Sequence, residues 1–249
     1  MTNSENDLTV HDEEQARFMN EEYVIVVDKD DKVIGKETKL VTHITKKIAE
    51  GLLHRAFSVF LFNSEGKLLL QQRAGCKITF PLMWANTCCS HPLYVEDELI
   101  EENAVGVKNA AIRKLEHELG ITGLTREDFT FLTKIKYEAA FDAEWAEHEV
   151  DWLLFVKKDL PYNLNTSEIE SVRYVSPEEL KEMFVQNAEG SLKLCPWFQL
   201  IAEKYLLNWW PRVDEIIANK GLPADLKVGL ELVNDLGTPS NARTAASFL

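Results

Sequence analysis

Arg113-Lys114-Leu115-Glu116-His117-Glu118-Leu119-Gly120-Ile121 closes the most regularly patterned stretch of the chain. Upstream of it, Ala104, Val107, Ala111, Leu115 and Leu119 recur at three- and four-residue steps, which predicts a helix over about 104–119 with one apolar face. Gly120 is a natural stop, because the residue after a helix often turns left-handed and glycine does so without strain. Lys114 and Glu118, four apart, share a face of this helix and can pair.

Outward from this helix the chain reads as strands and further helices. Tyr23-Val24-Ile25-Val26-Val27, a turn at Asp28 to Asp31 and Val33-Ile34-Gly35 predict a hairpin. Ala56 to Phe62, the turn Asn63-Ser64-Glu65-Gly66 and Lys67 to Arg73 predict a second. Lys39 to Arg55 between them is a polar connection, and residues 12–20 read as a short acidic helix. Ala74 to Tyr94 is irregular and rich in Trp, Cys, Pro and His, which suits a functional loop. Beyond the central helix, Phe131 to Glu138, Val150 to Val156 and Val172 to Val175 read as strands. Ser176-Pro177-Glu178-Glu179 opens a helix to about Asn187, with a Ser cap, Pro at the first position and Glu at the third. Pro196 to Asn219 is a long aromatic helix interrupted at Pro211. Strands, helix, strands and helices in that order, with no repeat and no long linker, predict one α/β domain: a mixed sheet covered by helices.

Four local features could carry chemistry. In Asn86-Thr87-Cys88-Cys89-Ser90-His91-Pro92, Cys89 and His91 are two apart and project to one side of an extended chain. A lone Cys buries readily as a small hydrophobe, but beside a metal or a basic group a thiol exchanges protons near neutrality. In Glu147-His148-Glu149 the two carboxylates share a strand face, as a divalent cation or an acid/base pair requires, although charged residues also decorate solvated strand ends. His43 and His54 flank a polar loop; with His91, Glu147 and Glu149 they would offer three nitrogens and two carboxylates to one ion. Lys114 and Glu118 form a helical ion pair, or Glu118 binds a metal that a substrate's phosphates also bind.

These features, in this order and spacing, resemble the type I isopentenyl-diphosphate isomerases, closest to fungal and animal members, from about Glu14 to Trp210. The most specific stretches are Gly51-Leu52-Leu53-His54-Arg55-Ala56-Phe57-Ser58, Asn86 to Pro92, His117-Glu118-Leu119-Gly120 and Trp145-Ala146-Glu147-His148-Glu149, with Pro196-Trp197-Phe198 also fitting. The resemblance implies a Nudix-type α/β/α sandwich in one domain over 23–220, with an acidic N-terminal segment 1–22 as a lid and a C-terminal extension 221–249. It implies that the Arg113 helix is a remnant Nudix box. Hydrolases of that superfamily read R-E-U-x-E-E-x-G-U, with U apolar. Here Lys114 replaces the first Glu and His117 one of the paired ones, so only Glu118 of those acids survives. A Nudix diphosphate hydrolase is the runner-up, and an acidic metal-binding or interaction module the non-enzymatic alternative.

The resemblance further implies reversible conversion of isopentenyl diphosphate to dimethylallyl diphosphate, a step of isoprenoid biosynthesis. His43, His54, His91, Glu147 and Glu149 would bind one divalent ion, zinc or manganese. Glu149 with Tyr137 would protonate the terminal methylene, and Cys89 would remove a proton from C2 on the opposite face. Lys39, Arg73, Lys77 and Lys114 would hold the diphosphate, with Mg2+ bridging it to Glu118 and Ser90 adding a hydrogen bond. The Trp197 ring would face the cation or pack in the core. Two departures from the family pattern stand in the loop before the cysteines: Leu82 replaces a glycine, and Ala85 loses a hydroxyl.

Bulk properties narrow the partners. The chain has 249 residues, 45% of them apolar, enough for a sizeable core. Its formal charge of −14 argues against nucleic acid, whose phosphates need a basic surface. No apolar run approaches the ~18 residues needed to cross a membrane. The four cysteines show neither a C-x-x-C zinc pattern nor a secreted disulfide framework, and the polar N-terminus has no signal or transit character, so a cytoplasmic monomer or weak dimer is expected. Ser247-Phe248-Leu249 is similar to the Ser-Lys-Leu peroxisomal address but lacks its basic residue, leaving a peroxisomal fraction as the alternative.

Overall fold

The computed structural model describes the backbone of residues 4–229 and 231–233 and the side chains of 13–229. In chain order it has helix α1 (Ser4–Glu21), strands β1 (Tyr23–Val27) and β2 (Val33–Thr38), and short helices α2 (Lys39–Thr42) and α3 (Thr45–Ala49). Strands β3 (His54–Phe62), β4 (Leu68–Arg73), β5 (Trp84–Ala85) and β6 (Cys88–Ser90) come next, then α4 (Val105–Leu119). Strands β7 (Thr130–Ala140), β8 (Ala146–Lys157) and β9 (Ile169–Val175) precede α5 (Pro177–Glu189). Helix α6 (Pro196–Ile201), a π turn at Ala202–Leu206, α7 (Leu207–Trp209) and α8 (Val213–Ala218) follow, and β10 (Glu231–Val233) is the last element among the described residues.

The sheet is mixed. Its main path runs β10-β7-β8-β3-β1-β2, with β3–β8 and β10–β7 parallel and the other pairs antiparallel. Every residue of β3 is buried, as befits a strand covered on both faces. Its side chains alternate between two cores. Phe57, Val59 and Leu61 pack with Ala110, Leu115 and Leu119 of α4. Phe60 and Phe62 pack with Leu180 of α5 and with Trp197, Phe198 and Trp209 of α6–α7. Each such aromatic or branched side chain contributes about 1.5–3 kcal/mol by leaving water. Helices on both faces of one sheet make the α/β/α sandwich expected from the sequence.

Gly120 caps α4 in the left-handed region at φ 61°, and a Cβ there would lie 2.5 Å from the Asn163 carbonyl oxygen, so two independent constraints select glycine. Ser176 and Glu179 form the expected capping box, with Pro177 opening α5.

Several elements differ from the sequence reading, each because tertiary contacts override local pattern. The acidic N-terminal helix spans Ser4–Glu21, longer than predicted. The polar connection 39–55 contains α2 and α3. The second hairpin pairs only at Phe62–Leu68; beyond its tip β4 turns to β9 and β5 while β3 takes β8 and β6. The aromatic helix is a chain of short segments, with a 3-10 turn at Trp210–Arg212 where Pro211 breaks it. Residues 231–233 of the C-terminal extension add a parallel strand to β7. Ser247-Phe248-Leu249 lies outside the described residues.

Candidate active site

Strand register assembles the centre of the site. Glu149 on β8 lies opposite His54 on β3 and, across its other edge, opposite Tyr137 on β7. Residues paired across a sheet project to the same face, so imidazole, carboxylate and phenol form one row. Glu147, two positions earlier, shares that face. His148 projects to the other, where Nδ1 donates to the Leu52 carbonyl oxygen at 2.8 Å. The expected alternation of Glu147-His148-Glu149 therefore holds.

Loops bring the remaining nitrogens. The backbone carbonyl of His43, between α2 and α3, accepts from Ala146 N at 2.9 Å, which fixes that loop beside Glu147. His91 follows β6, and its carbonyl accepts from Arg113 Nη2 at 3.3 Å. The same guanidinium donates to Glu98 at 2.6 and 2.9 Å, anchoring the chain after His91 to α4.

The three imidazole rings form a near-equilateral triangle with centroids 4.9–5.0 Å apart. The ligand atoms of His43, His54, His91, Glu147 and Glu149 all lie within 4.8 Å of one another, and all five residues are buried. His43 Nδ1 donates to the Lys39 carbonyl oxygen at 2.6 Å, leaving Nε2 as a free lone pair aimed inward. His43 Nε2 lies 2.9 Å from Glu147 Oε2, and His54 Nε2 lies 3.3 Å from Glu149 Oε1. Neither pair is aligned as a hydrogen bond, so Glu147 Oε2 and both ring nitrogens of His54 stay unpartnered while buried. Two buried carboxylates among imidazoles leave uncompensated negative charge, which costs several kcal/mol. Convergent, orphaned nitrogen and oxygen donors with that charge fit a divalent cation.

The electrostatics favour a neutral ligand at two of the three imidazoles. Burial opposes protonation of His43, but Glu147 overrides it and raises the imidazole's pKa. Burial lowers the pKa of His54 and lowers that of His91 further, favouring neutral ligands. Burial acts to raise the pKa of Glu149, yet His91 and His54 hold its carboxyl well below the usual range. Tyr137 donates to Glu149 Oε2 at 2.5 Å while Oε1 faces His91 at 2.7 Å, so one carboxylate joins the ligand cluster to the phenol. Burial and Glu149 push the Tyr137 hydroxyl well up, keeping its proton on.

Cys89, Tyr137, Glu149 and Trp197 line one cavity beside this cluster. Cys89 pairs with Ser58 across β6–β3, and burial, Asp151 and Glu149 together raise its thiol's pKa well above the ordinary value. The adjacent Cys88 turns the other way, donating to Glu118 at 3.6 Å. Trp197 packs in the core, as one of the two sequence readings has it. It is buried, edge-on to Phe80 with centroids 5.2 Å apart and roughly parallel to Tyr137 at 6.4 Å, and it also forms part of the cavity wall.

The cavity's other end is basic. Lys39, Lys77, Lys114, Arg73 and Ser90 line it, with Glu118 paired to Lys114 at 3.0 Å. Burial and the neighbouring Lys77 lower the Lys39 pKa to about 8. Arg73 is partly committed to structure: its Nε and Nη2 donate to the carbonyl oxygens of Thr79 and Phe80, and its guanidinium sits 5.7 Å from the Trp197 ring centroid. Every residue given a catalytic, metal-ligating or substrate-binding role from the sequence lines this cavity except His54, which stands in the ligand cluster.

Sequence reasoning missed Glu168, Gln15 and Thr79. Glu168 is buried and accepts from Lys77 at 2.6 Å. Gln15 and Met19 of α1 form part of the wall, and Thr79 Oγ1 donates to Glu147 at 3.4 Å. None of the three stands in a chemically suggestive local pattern, and only packing reveals them.

Comparison with known proteins gives the class of the chain. Residues 52–198 match the NUDIX domain model, and the crystal structure of DR0079 from Deinococcus radiodurans shares the fold at TM-score 0.50 and 16% identity, covering 74% of this chain and 99% of that one. The protein is thus built on a Nudix domain. Isopentenyl-diphosphate Delta-isomerase I, chloroplastic, of Arabidopsis thaliana is 52% identical over 206 residues, 81% of this chain and 71% of the relative. Isopentenyl-diphosphate delta-isomerase IDI1 of Gibberella zeae is 51% identical over 212 residues, 83% of this chain and 82% of the relative. The chain belongs to the isopentenyl-diphosphate Delta-isomerase family, enzymes of the isomerase class.

Proposed function

We propose that the chain interconverts isopentenyl diphosphate and dimethylallyl diphosphate by moving one proton on and one proton off a five-carbon alkene. The observation that carries this reading is the double attachment of Glu149, to the ligand cluster through one oxygen and to Tyr137 through the other, in a cavity that Cys89 also lines. An alkene is a very weak base, so a proton donor must be held against it and the resulting tertiary cation shielded from water.

In this mechanism Tyr137 and Glu149 deliver a proton to the terminal methylene. Cys89 then takes the proton from C2, and the electrons of that C–H bond form the new double bond. Cys89 takes that proton as a thiolate, its own proton having passed to the Glu149–Tyr137 pair at the close of the previous turnover, and the positive charge on the substrate carbon favours this form against burial, which otherwise raises the thiol's pKa. Loss of the proton from sulfur and its return to the Glu149–Tyr137 pair complete the cycle, and the reverse reaction exchanges the roles. The Trp197 face stabilises the cation, a contact worth about 0.5–2 kcal/mol.

His43, His54, His91, Glu147 and Glu149 would hold one divalent ion, which we assign as zinc or manganese. When bound, it supplies the positive charge that neutralises the buried carboxylates. Lys39, Lys77, Lys114, the remaining donors of Arg73 and Ser90 bind the diphosphate, and Glu118 would hold a Mg2+ ion that supplies further positive charge to its phosphates. Helix α1, whose Gln15 and Met19 form part of the wall, acts as the lid over the domain 23–220. The reading carries with it a monomer or weak dimer acting in a reducing compartment such as the cytoplasm, as the lack of a secreted disulfide framework in the sequence suits.

The test is incubation with isopentenyl diphosphate. The wild-type protein should yield an allylic diphosphate without releasing phosphate; phosphate release would favour a Nudix hydrolase instead. Cys89→Ala should lower kcat at least about a thousandfold with metal content unchanged. Near-normal turnover would remove Cys89 from the chemistry.

A further inference from the structure

Glu168 has no part in the proton transfers, yet it is only 3% exposed and sits where three lysines converge. It immediately precedes β9, and its backbone is fixed on both sides: its N–H donates to the Asn165 carbonyl oxygen at 2.9 Å, and its own carbonyl accepts from Ala74 N at 3.0 Å. Ala74 opens the loop that carries Lys77. The side chain repeats this linkage, because Oε2 accepts from Lys77 Nζ at 2.6 Å. Oε1 accepts from Gln15 Nε2 at 3.1 Å, and Lys77 Nζ also donates to Gln15 Oε1 at 3.1 Å. Lys77, Lys114 and Lys39, in that order, overcome burial and hold the Glu168 carboxyl well below the usual range.

An ammonium carries three N–H donors and no acceptor. Glu168 and Gln15 occupy two of those on Lys77, which leaves one for the cavity. Three lysines without a buried anion between them would repel one another and swing toward solvent, since each has a long flexible stem.

We propose that Glu168 is a positioning residue for the diphosphate: it fixes the Lys77 ammonium with one donor facing the cavity, and it keeps Lys39, Lys77 and Lys114 side by side before substrate arrives. This deepens the reading above and rests on those lysines holding the diphosphate. Because Lys77 touches both Glu168 on the domain and Gln15 on α1, the same contact couples anion binding to the seating of that helix.

The experiment compares Glu168→Gln, Lys77→Met and the double variant in the full-length metal-loaded enzyme. It measures KM and kcat with isopentenyl diphosphate and, separately, inhibition by inorganic pyrophosphate. Glu168→Gln preserves shape and removes the charge. It should raise KM and the pyrophosphate inhibition constant about tenfold while kcat at saturation stays within about threefold. The double variant should lose less than the product of the two single losses, because part of the Glu168 effect acts through Lys77 and only the part through Lys39 and Lys114 remains. A purely structural role would reduce the active fraction, lowering kcat with KM unchanged, and would overturn the proposal. So would unchanged or tighter binding in Glu168→Gln while Lys77→Met weakens it; that outcome leaves the lysine assignment standing. Unchanged binding in Lys77→Met would sink the lysine assignment itself. If Glu168→Gln does not fold, Gln15→Leu removes the second acceptor and should raise KM about threefold with kcat preserved; no rise overturns the proposal.

Discussion

Leu82 occupies a left-handed backbone conformation, φ 58°, at the turn before the cysteine loop, and its side chain is half exposed. The turn itself is held by backbone, because Leu82 N donates to the Arg73 carbonyl oxygen at 3.1 Å and its own carbonyl accepts from Gln72 Nε2 at 3.0 Å. A non-glycine residue there carries roughly 1–2 kcal/mol of steric cost. Glycine would remove that cost but add about 0.4–1 kcal/mol of unfolded-chain entropy. Leu82→Gly should therefore stabilise the fold by about 0.5–1 kcal/mol, read as a higher urea midpoint at unchanged slope. A lower midpoint would mean that the half-exposed side chain contributes more packing than its surroundings suggest. The departure from the family pattern is thus one of strain rather than of catalytic chemistry.

Between elements, the most consequential contact is α1 against the mouth of the cavity. Phe18 packs edge-on against His117 with centroids 5.4 Å apart, Met19 is buried, and Ser167 Oγ donates to Glu14 at 3.0 Å. His117 is the residue that replaces an acid of the Nudix box, so a position lost to metal binding now meets the helix. Truncation of residues 1–21 should leave the sheet and the ligand cluster intact, since neither draws a strand or a ligand from them. It should reduce turnover at least about tenfold and yield tertiary alcohol from capture of the cation by water, detected by chromatography of the products. Full activity with no alcohol would deny α1 its covering role.

The molecule as a whole depends on balancing charge in its interior. Stripping the divalent ion with a chelator should abolish activity and lower the melting temperature, because Glu147 and Glu149 then lose their main compensating charge. Acid acts in the same direction. The folded-state pKa values of Glu149 and Glu168 both lie well below their ordinary value of 4.5. For a depressed carboxyl, the stabilisation is fully present above its unfolded pKa and disappears as pH falls through the folded one. Urea midpoints should thus drop steeply below about pH 4.5, and Glu168→Gln should flatten part of that slope. A slope identical in the two proteins would show that Glu168 does not contribute to it.

Much of this was written locally. The 3.6-residue period before Gly120, the capping box at Ser176 and the alternation in Glu147-His148-Glu149 determine helix, boundary and face, because each depends only on neighbours along the chain. The stretches around His54, Cys89, His91 and Glu149 pointed to a candidate site through a family resemblance, and folding gathers His43, His54, His91, Glu147 and Glu149 within 4.8 Å of one another. Tertiary structure decided which strands pair. The parallel register of β3 and β8 sets His54 beside Glu149, and the divergence of β3 from β4 broke the expected hairpin, because those pairings join residues far apart in sequence through burial that no local pattern encodes. It alone found Glu168 and Gln15. A carboxylate and an amide have no signature until folding places them against Lys77 and dehydration makes that contact strong.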